Sequence, residues 1–319
     1  MAKKIIITAS GGGHTGNAVS LAQRLEGRAD ILFIVPKGDK WTRQRVEKYG
    51  DIIEVTKGRG AMSSNILFIP RFLKAFYESL RSVSKEYEVL VSMGSNHSIP
   101  PAFLAKINGL KIINVESCAR FTKGSRTVKI LSHIADITAL QWEEQKNLHP
   151  KGIVYGPLFE KPLYKPWNGG YILVTGGTYG HRMLFDALLK TRLKNIVLQT
   201  GRLDPRYYKK RKPEWRIFDF DPDFGKWIAG ANIVISHFGK TVLDAALTYR
   251  KPVIIVPNPE FTRTVGVEDA GLLAKKLNAI LLENITPKDL VDAIEFAFKL
   301  KVPEYPDGAL NLAEDILKL

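Results

Sequence analysis

The sequence predicts an α/β protein made of two doubly wound parallel-sheet domains. Three observations carry that expectation. Short apolar runs alternate with helical patterns along the whole chain, as in parallel sheets covered by helices. A strand, a glycine-rich turn and a histidine occur twice: Ile5-Ile6-Ile7-Thr8-Ala9-Ser10-Gly11-Gly12-Gly13-His14 and Ile172-Leu173-Val174-Thr175-Gly176-Gly177-Thr178-Tyr179-Gly180-His181. The 319 residues suit two domains of ordinary size.

The elements follow in order. In the first half the apolar runs 5–8, 31–35, 52–55, 89–92 and 112–115 are expected as strands, being too short for helices and rich in β-branched residues. Val19, Leu21, Ala22 and Leu25 mark one face of a helix over 15–25, and 101–107 reads as another. Residues 158–169 hold two prolines and no periodicity, which predicts a linker between a first domain, 1–157, and a second, 170–319. The second half repeats the alternation, with strands at 172–175, 196–199, 216–218, 233–236, 253–256 and 279–282. Helices are expected at 182–190, 240–247, 267–276 and 287–300. Residues 311–319 read as a short amphipathic helix, expected to pack back on the first domain.

Composition narrows the class. No run approaches the roughly 18 apolar residues of a membrane span. The start, Met1-Ala2-Lys3-Lys4, leads into a strand without the features of a signal peptide. The single cysteine, Cys118, excludes an internal disulfide, and the expectation is a cytoplasmic protein. The net charge is +15, and it is uneven: residues 1–157 hold 23 Lys/Arg against 13 Asp/Glu, residues 158–319 hold 24 against 19. A basic first half suits an anionic partner: a membrane surface, a phosphorylated substrate or a nucleic acid.

Ligands of doubly wound sheets sit at the carboxyl ends of the strands. The polar residues there are the candidates: 11–14, 94–97 (with Asn96) and 116–120 in the first half. The first loop fits G-x-G-x-x-G, a pattern shared with dinucleotide sites. The acid such a site needs after the second strand is displaced to Asp39, behind Lys37. An NAD-dependent oxidoreductase stays as an alternative. His14 falls in the first helical turn, where the helix N-terminus disfavours imidazolium. A neutral histidine there is a candidate general base. Glu116 ends a buried strand and is the second candidate base, against a plain salt bridge to Arg120. In the second half a strand runs into Ser236-His237-Phe238-Gly239 and then a helix. Helical N–H groups at that point suit a diphosphate. Lys240 is placed to meet phosphate charge and Asp244 to accept from ribose hydroxyls. Asp219-Phe220-Asp221 reads as a loop, and the six histidines show no H-x₃-H spacing, so no metal is expected. Residues 66–77 mix a wide apolar face with Arg71, Lys74 and nearby Arg81, which fits an anionic bilayer or an ordinary packed helix. Residues 206–212, basic and aromatic, read as a solvated loop.

Together these motifs resemble a known family. Ser10-Gly11-Gly12-Gly13-His14-Thr15, Val115-Glu116-Ser117 with Arg120, Gln141-Trp142-Glu143 and Tyr155-Gly156-Pro157-Leu158 resemble the membrane-associated subunit of the two-subunit N-acetylglucosaminyltransferase of dolichol-linked oligosaccharide assembly. Val174-Thr175-Gly176-Gly177-Thr178, Ile235-Ser236-His237-Phe238-Gly239 and Lys251-Pro252-Val253 through Asn258 resemble its catalytic subunit. The pattern is similar, more distantly, to the bacterial peptidoglycan N-acetylglucosaminyltransferase of glycosyltransferase family 28. The chain looks like both subunits fused.

The resemblance implies a GT-B fold, two Rossmann-like domains facing a cleft. It implies inverting, metal-independent transfer of N-acetylglucosamine from UDP-GlcNAc to a polyprenyl or dolichyl (pyro)phosphate-linked acceptor, without a cofactor. Another UDP-sugar donor is the nearest alternative. Carried over, Gly176, Gly177, Thr178, Ser236, His237, Gly239, Lys240, Thr241 and Asp244 bind the donor. Gly12, Gly13, Thr15, Asn96 and Arg120 serve the acceptor, with His14 or Glu116 catalytic. The implied partners are the two substrates and an anionic membrane, with no nucleic acid. The implied place is peripheral, on the cytoplasmic face of the cell membrane. Two departures stand out. No N-terminal membrane helix precedes the first strand, and Arg263-Thr264-Val265-Gly266-Val267-Glu268-Asp269 occupies the stretch where the family often has glutamines.

Overall fold

Lys3–Thr8 (β1) buries Ile5, Ile6 and Ile7 completely. Ile5 and Ile7 join one apolar cluster and Ile6 another on the opposite face. Only a strand covered on both sides can do this, and the sequence run has no polar alternation for the same reason. The structure, a computed structural model, describes residues 2–59, 68–261 and 266–319. It divides into two units, 1–160 with 306–319, and 161–305.

The first unit carries seven parallel strands: β1, Ala29–Pro36 (β2), Asp51–Val55 (β3), Val89–Ser92 (β4), Lys111–Val115 (β5), Ile137–Leu140 (β6) and Ile153–Val154 (β7). Their spatial order is β3-β2-β1-β4-β5-β6-β7. Gly12–Leu25 (α1), Lys40–Val46 (α2), Phe68–Leu80 (α3), Ile99–Ile107 (α4) and Arg126–Leu131 (α5) cover its faces. The order reverses between β1 and β4, the kind of position at whose carboxyl ends such sheets bind ligands.

The second unit repeats the plan with Tyr171–Thr175 (β8), Ile196–Gln199 (β9), Arg216–Phe218 (β10), Ala231–Ser236 (β11), Val253–Ile255 (β12) and Ile280–Leu281 (β13). The order is β10-β9-β8-β11-β12-β13, with its reversal between β8 and β11. Arg182–Leu189 (α6), Pro205–Lys209 (α7), Phe224–Gly230 (α8), Lys240–Leu247 (α9), Val267–Leu277 (α10) and Pro287–Ala297 (α11) complete it. The segment read as a linker is hydrogen-bonded into this unit from Trp167 onward. Trp167 N donates to Ala229 O at 2.9 Å and Gly169 N to Gly230 O at 2.8 Å, while Lys251 Nζ donates to Trp167 O at 2.8 Å.

The chain then returns to the first unit with Gly308–Lys318 (α12). Ala309, Leu312, Ala313 and Ile316 are fully buried in the cluster that holds Ile5, Leu21 and Leu25. The buried Arg24 guanidinium donates to Asp307 Oδ2 at 2.8 and 3.1 Å. Gly308 has no room for a side chain, since a Cβ would lie 2.1 Å from Gly156 O.

The expected strands all form. The sequence reading missed β6, β7, α2, α5, α7 and α8. Each spans eight residues or fewer, too short for a period to show, and only Thr42 and Val46 of α2 are buried. Among the described residues no helix is long and apolar enough to cross a membrane.

Because α12 closes the first core, Leu312→Ala is expected to cost about 2–5 kcal/mol. Urea unfolding followed by hydrogen exchange checks this: protection falls across β1 and α1 and stays unchanged in β8 and β11.

Candidate functional site

In the first unit the turn after β1 is built on a chain of hydroxyls. Gly11 N donates to Thr15 Oγ1 at 2.9 Å, and Thr15 Oγ1 lies 2.9 Å from Thr42 Oγ1. Thr42 donates through N and Oγ1 to the two oxygens of Asp39, at 3.1 and 2.7 Å. Asp39 is therefore the cap of α2, a role that competes with holding a ribose. Thr15 is buried and braces the turn, a different place from the ligand-facing one expected for it. Gly12 and Gly13, in the first turn of α1, stay exposed. Beside them Lys57 Nζ donates to Ser10 O at 2.9 Å. Asn96 brackets the neighbouring chain, its amide pairing with Arg59 O at 3.0 Å and Arg59 N at 3.4 Å.

His14 Nδ1 lies 2.6 Å from Met93 O. A carbonyl only accepts, so Nδ1 carries the proton and Nε2 keeps its lone pair. Loss of hydration lowers the pKa of His14 to about 4; the bond to Met93 opposes this, and the Lys57 charge adds to it. Glu116 is placed otherwise than expected of a base. It is wholly buried. Oε1 accepts from Ser117 N at 2.8 Å, and Oε2 accepts from Ser125 N and His149 Nε2, both at 2.9 Å. Its carboxylate anchors the loop that carries Arg120, whose Nη1 reaches Lys123 O at 3.4 Å.

In the second unit the turn after β8 folds tightly on itself. A Cβ on Gly176 would lie 2.2 Å from the Gly180 carbonyl carbon, so no larger residue fits. Gly177 N donates to Thr175 Oγ1 at 2.9 Å, and Thr178 O accepts from Arg202 N at 3.0 Å. Across the sheet reversal, β11 ends at the buried Ser236, and Gly239 takes φ +134°, a backbone shape that needs glycine. Lys240, Thr241 and Val242 then open α9, in the turn whose N–H groups lack helical partners. Lys240 Nζ forms an ion pair with Asp244 Oδ1 one turn on, both residues being buried. The sequence reading had set these two on separate parts of a ligand; the structure couples them.

Asn258, just past β12, ties the two turns together. Its N–H donates to His237 Nδ1 at 3.0 Å and its Nδ2 donates to Gly180 O at 3.1 Å. His237 is thus protonated on Nε2. The links made by Asn258 and Lys57 were missed because their partners are far away in sequence. The Pro257-Asn258 step after an apolar strand was the available signal for Asn258. Asp221 of the Asp219-x-Asp221 stretch pairs with Lys226 and accepts from Trp227 Nε1 at 2.8 Å. Among the described residues no group of three His, Cys, Asp or Glu is placed to hold a metal. Of the stretch 263–269, residues 263–265 lie outside the described residues.

Residues 5–158 match the family profile described as oligosaccharide biosynthesis protein Alg14 like, and residues 171–307 match the glycosyltransferase family 28 C-terminal domain. The chain belongs to the family 28-like glycosyltransferases.

Its relatives agree. A UDP-N-acetylglucosamine–N-acetylmuramyl-(pentapeptide) pyrophosphoryl-undecaprenol N-acetylglucosamine transferase of Syntrophotalea carbinolica is 26% identical over 322 residues, covering 91% of this chain and 88% of the relative. The protein of the same name from Haemophilus influenzae strain PittGG is 26% identical over 358 residues, covering 98% of each. Among solved structures, MurG of Acinetobacter baumannii superposes with a TM-score of 0.68 at 18% identity, over 99% of this chain and 100% of that one. A UDP-N-acetylglucosamine 2-epimerase of Rickettsia bellii gives 0.65 at 14% identity, over 100% and 96%. The structural likenesses establish the fold: two Rossmann-like domains of the GT-B type.

Four histidines of this glycosyltransferase are pushed below the ordinary 6.5. His14 and His181 fall to about 4, His97 and His237 to about 3, in each case first through loss of hydration. The unfolded chain takes up these protons near pH 6.5, and the folded chain refuses them until well below. Stability from these rings is whole above pH 6.5 and is lost as pH falls toward 3. The melting temperature is expected to drop between about pH 7 and pH 5, above the range where carboxylates titrate. A flat profile across that window, read by scanning calorimetry, contradicts the burial of these rings.

Proposed function

We propose that the protein transfers N-acetylglucosamine from UDP-GlcNAc to a polyprenyl or dolichyl (pyro)phosphate-linked acceptor, with inversion and without a metal. The second unit binds the donor and the first unit the acceptor. One observation carries this reading: the Gly176–Gly180 turn and the opening of α9 are held together by Asn258 at the sheet reversal. Their backbone N–H groups supply the partial positive charge that a leaving diphosphate needs. The activity for which the relatives are named supports the sugar and the lipid.

In the reaction an acceptor hydroxyl oxygen attacks the anomeric carbon from the face opposite UDP. The C–O bond to the β-phosphate breaks, and the electron pair leaves on UDP. His14 Nε2 takes the hydroxyl proton. Its low pKa in the free protein rises when an anionic acceptor phosphate settles beside it, which brings the base into range as the substrate arrives. Asp244 receives the ribose hydroxyls, with Lys240 turned partly toward the diphosphate. The protein glycosylation branch, with a dolichol-type acceptor, is the finer form of this proposal.

The acceptor's lipid calls for a membrane, and α3 offers a surface. Ile69, Leu73, Tyr77 and Leu80 are exposed and fall on one side of the helix. Arg71, Lys74 and Arg81 are exposed nearby, while Ala75 and Ser79 pack inward. An amphipathic helix with exposed apolar and basic residues suits the anionic cytoplasmic leaflet. Residues 66 and 67 of the candidate stretch lie outside the described residues.

Radiolabelled UDP-GlcNAc incubated with polyprenyl-pyrophosphate-linked sugars is expected to give organic-soluble label. Label that stays aqueous with every acceptor, together with no UDP binding by calorimetry, overturns the reading. His14→Ala is expected to lower kcat by about 10²–10⁴ with the donor KM unchanged. Near-normal turnover removes His14 from its role. Leu73→Glu is expected to reduce co-sedimentation with vesicles containing phosphatidylglycerol, and added salt to reduce it further. Unaltered binding moves the contact elsewhere.

A further inference from the structure

The segment after β6 donates five hydrogen bonds into the loop after β5. Gln141 Nε2 reaches Glu116 O, Trp142 Nε1 reaches Cys118 O, and Gln145 Nε2 reaches both Ser117 O and Arg120 O, each at 2.8 Å. The fifth bond runs from His149 Nε2 to Glu116 Oε2 at 2.9 Å. Glu116 in turn closes the loop on itself through Ser117 N and Ser125 N.

None of this work is open to a ligand. Gln145 and Glu116 are fully buried and His149 nearly so. Gln145 has no spare capacity, since its Oε1 accepts from Gln141 N at 2.7 Å and Trp142 N at 3.3 Å. A side chain with both amide hydrogens and its oxygen committed fixes two chain segments at once. The fit around His149 is tight. A Cβ on Gly124 would lie 3.1 Å from His149 Nε2 and 3.6 Å from Glu116 Oε2.

We infer that Gln145 and His149 are positioning residues for the acceptor, holding through Glu116 the loop that presents Arg120. The inference rests on the acceptor-binding reading of the first unit. A loop whose carbonyls are already fixed pays little ordering entropy when an anionic acceptor meets Arg120. Loss of the latch therefore weakens acceptor binding and leaves donor binding alone.

Three variants test it: His149→Phe, His149→Gln and Gly124→Ala. The readouts are kcat, the KM for a polyprenyl-pyrophosphate-linked acceptor, the KM for UDP-GlcNAc, and amide exchange of residues 117–125. His149→Phe and Gly124→Ala are expected to raise the acceptor KM about tenfold, the size of one charge-assisted hydrogen bond. The donor KM stays unchanged, and exchange quickens in the loop but not in β1. His149→Gln keeps an N–H toward Glu116 and is expected to restore most of the loss. If His149→Phe does not fold, Gly124→Ala perturbs the same latch without removing it. An unchanged acceptor KM overturns the inference. So does a parallel rise of both KM values with faster exchange throughout the unit, which marks a merely structural role. A wild-type chain that transfers no sugar overturns the transferase reading and the acceptor role together, while exchange in the loop still decides whether His149 holds it.

Discussion

A parallel strand covered on both faces can place polar chemistry only at its ends. Ile5, Ile6 and Ile7 of β1 and Ile233, Val234 and Ile235 of β11 are all fully buried. The groups proposed to act in each unit accordingly lie at the carboxyl edge, where the strand gives way to a turn and a helix begins. At that edge the backbone itself is the first resource, because the opening N–H groups of each helix lack partners. The side chains found there mostly hold the backbone in shape. Thr15 and Thr42 brace one turn, Asn258 joins two others, and Glu116 closes a loop.

This division of labour explains how much of the molecule was legible in the sequence. The strands and the glycine turns were readable because they are local: apolar runs of four to six residues and glycines required by close approach. Short helices such as α5 and α7 left too few residues for a period. The place of His14 in the first turn of α1 was readable from its neighbours in the chain. The contacts of Glu116 and Thr15 were not, since both lie at strand or helix ends and only long-range partners show which way they face. Glu116 is paired with His149, 33 residues away. Lys240 and Asp244 show the opposite case. Their i, i+4 spacing on a helix announces an ion pair, which a reading centred on the ligand left out.

Burial also sets the electrical character of both edges. The histidines there are kept neutral by loss of hydration, and the ligands proposed for these edges are anions. A neutral ring beside backbone dipoles gives a site that waits for charge rather than one that repels or neutralises it in advance. The basic surplus of the first half, +10 of the total +15 from its 23 Lys/Arg and 13 Asp/Glu, supplies long-range attraction for anions, and its Lys57 acts on the His14 ring as well.

The return of α12 to the first unit has a topological outcome. The second unit begins at Lys161 and ends at Tyr305, so it is an insertion within the first. A single scission between the halves would not produce two self-sufficient pieces. The downstream fragment would carry away four residues of the upstream core, Ala309, Leu312, Ala313 and Ile316, and could repair the loss only by re-docking its tail. A split gene would thus come with its own coupling between the two polypeptides, inherited from what was once an ordinary piece of interior.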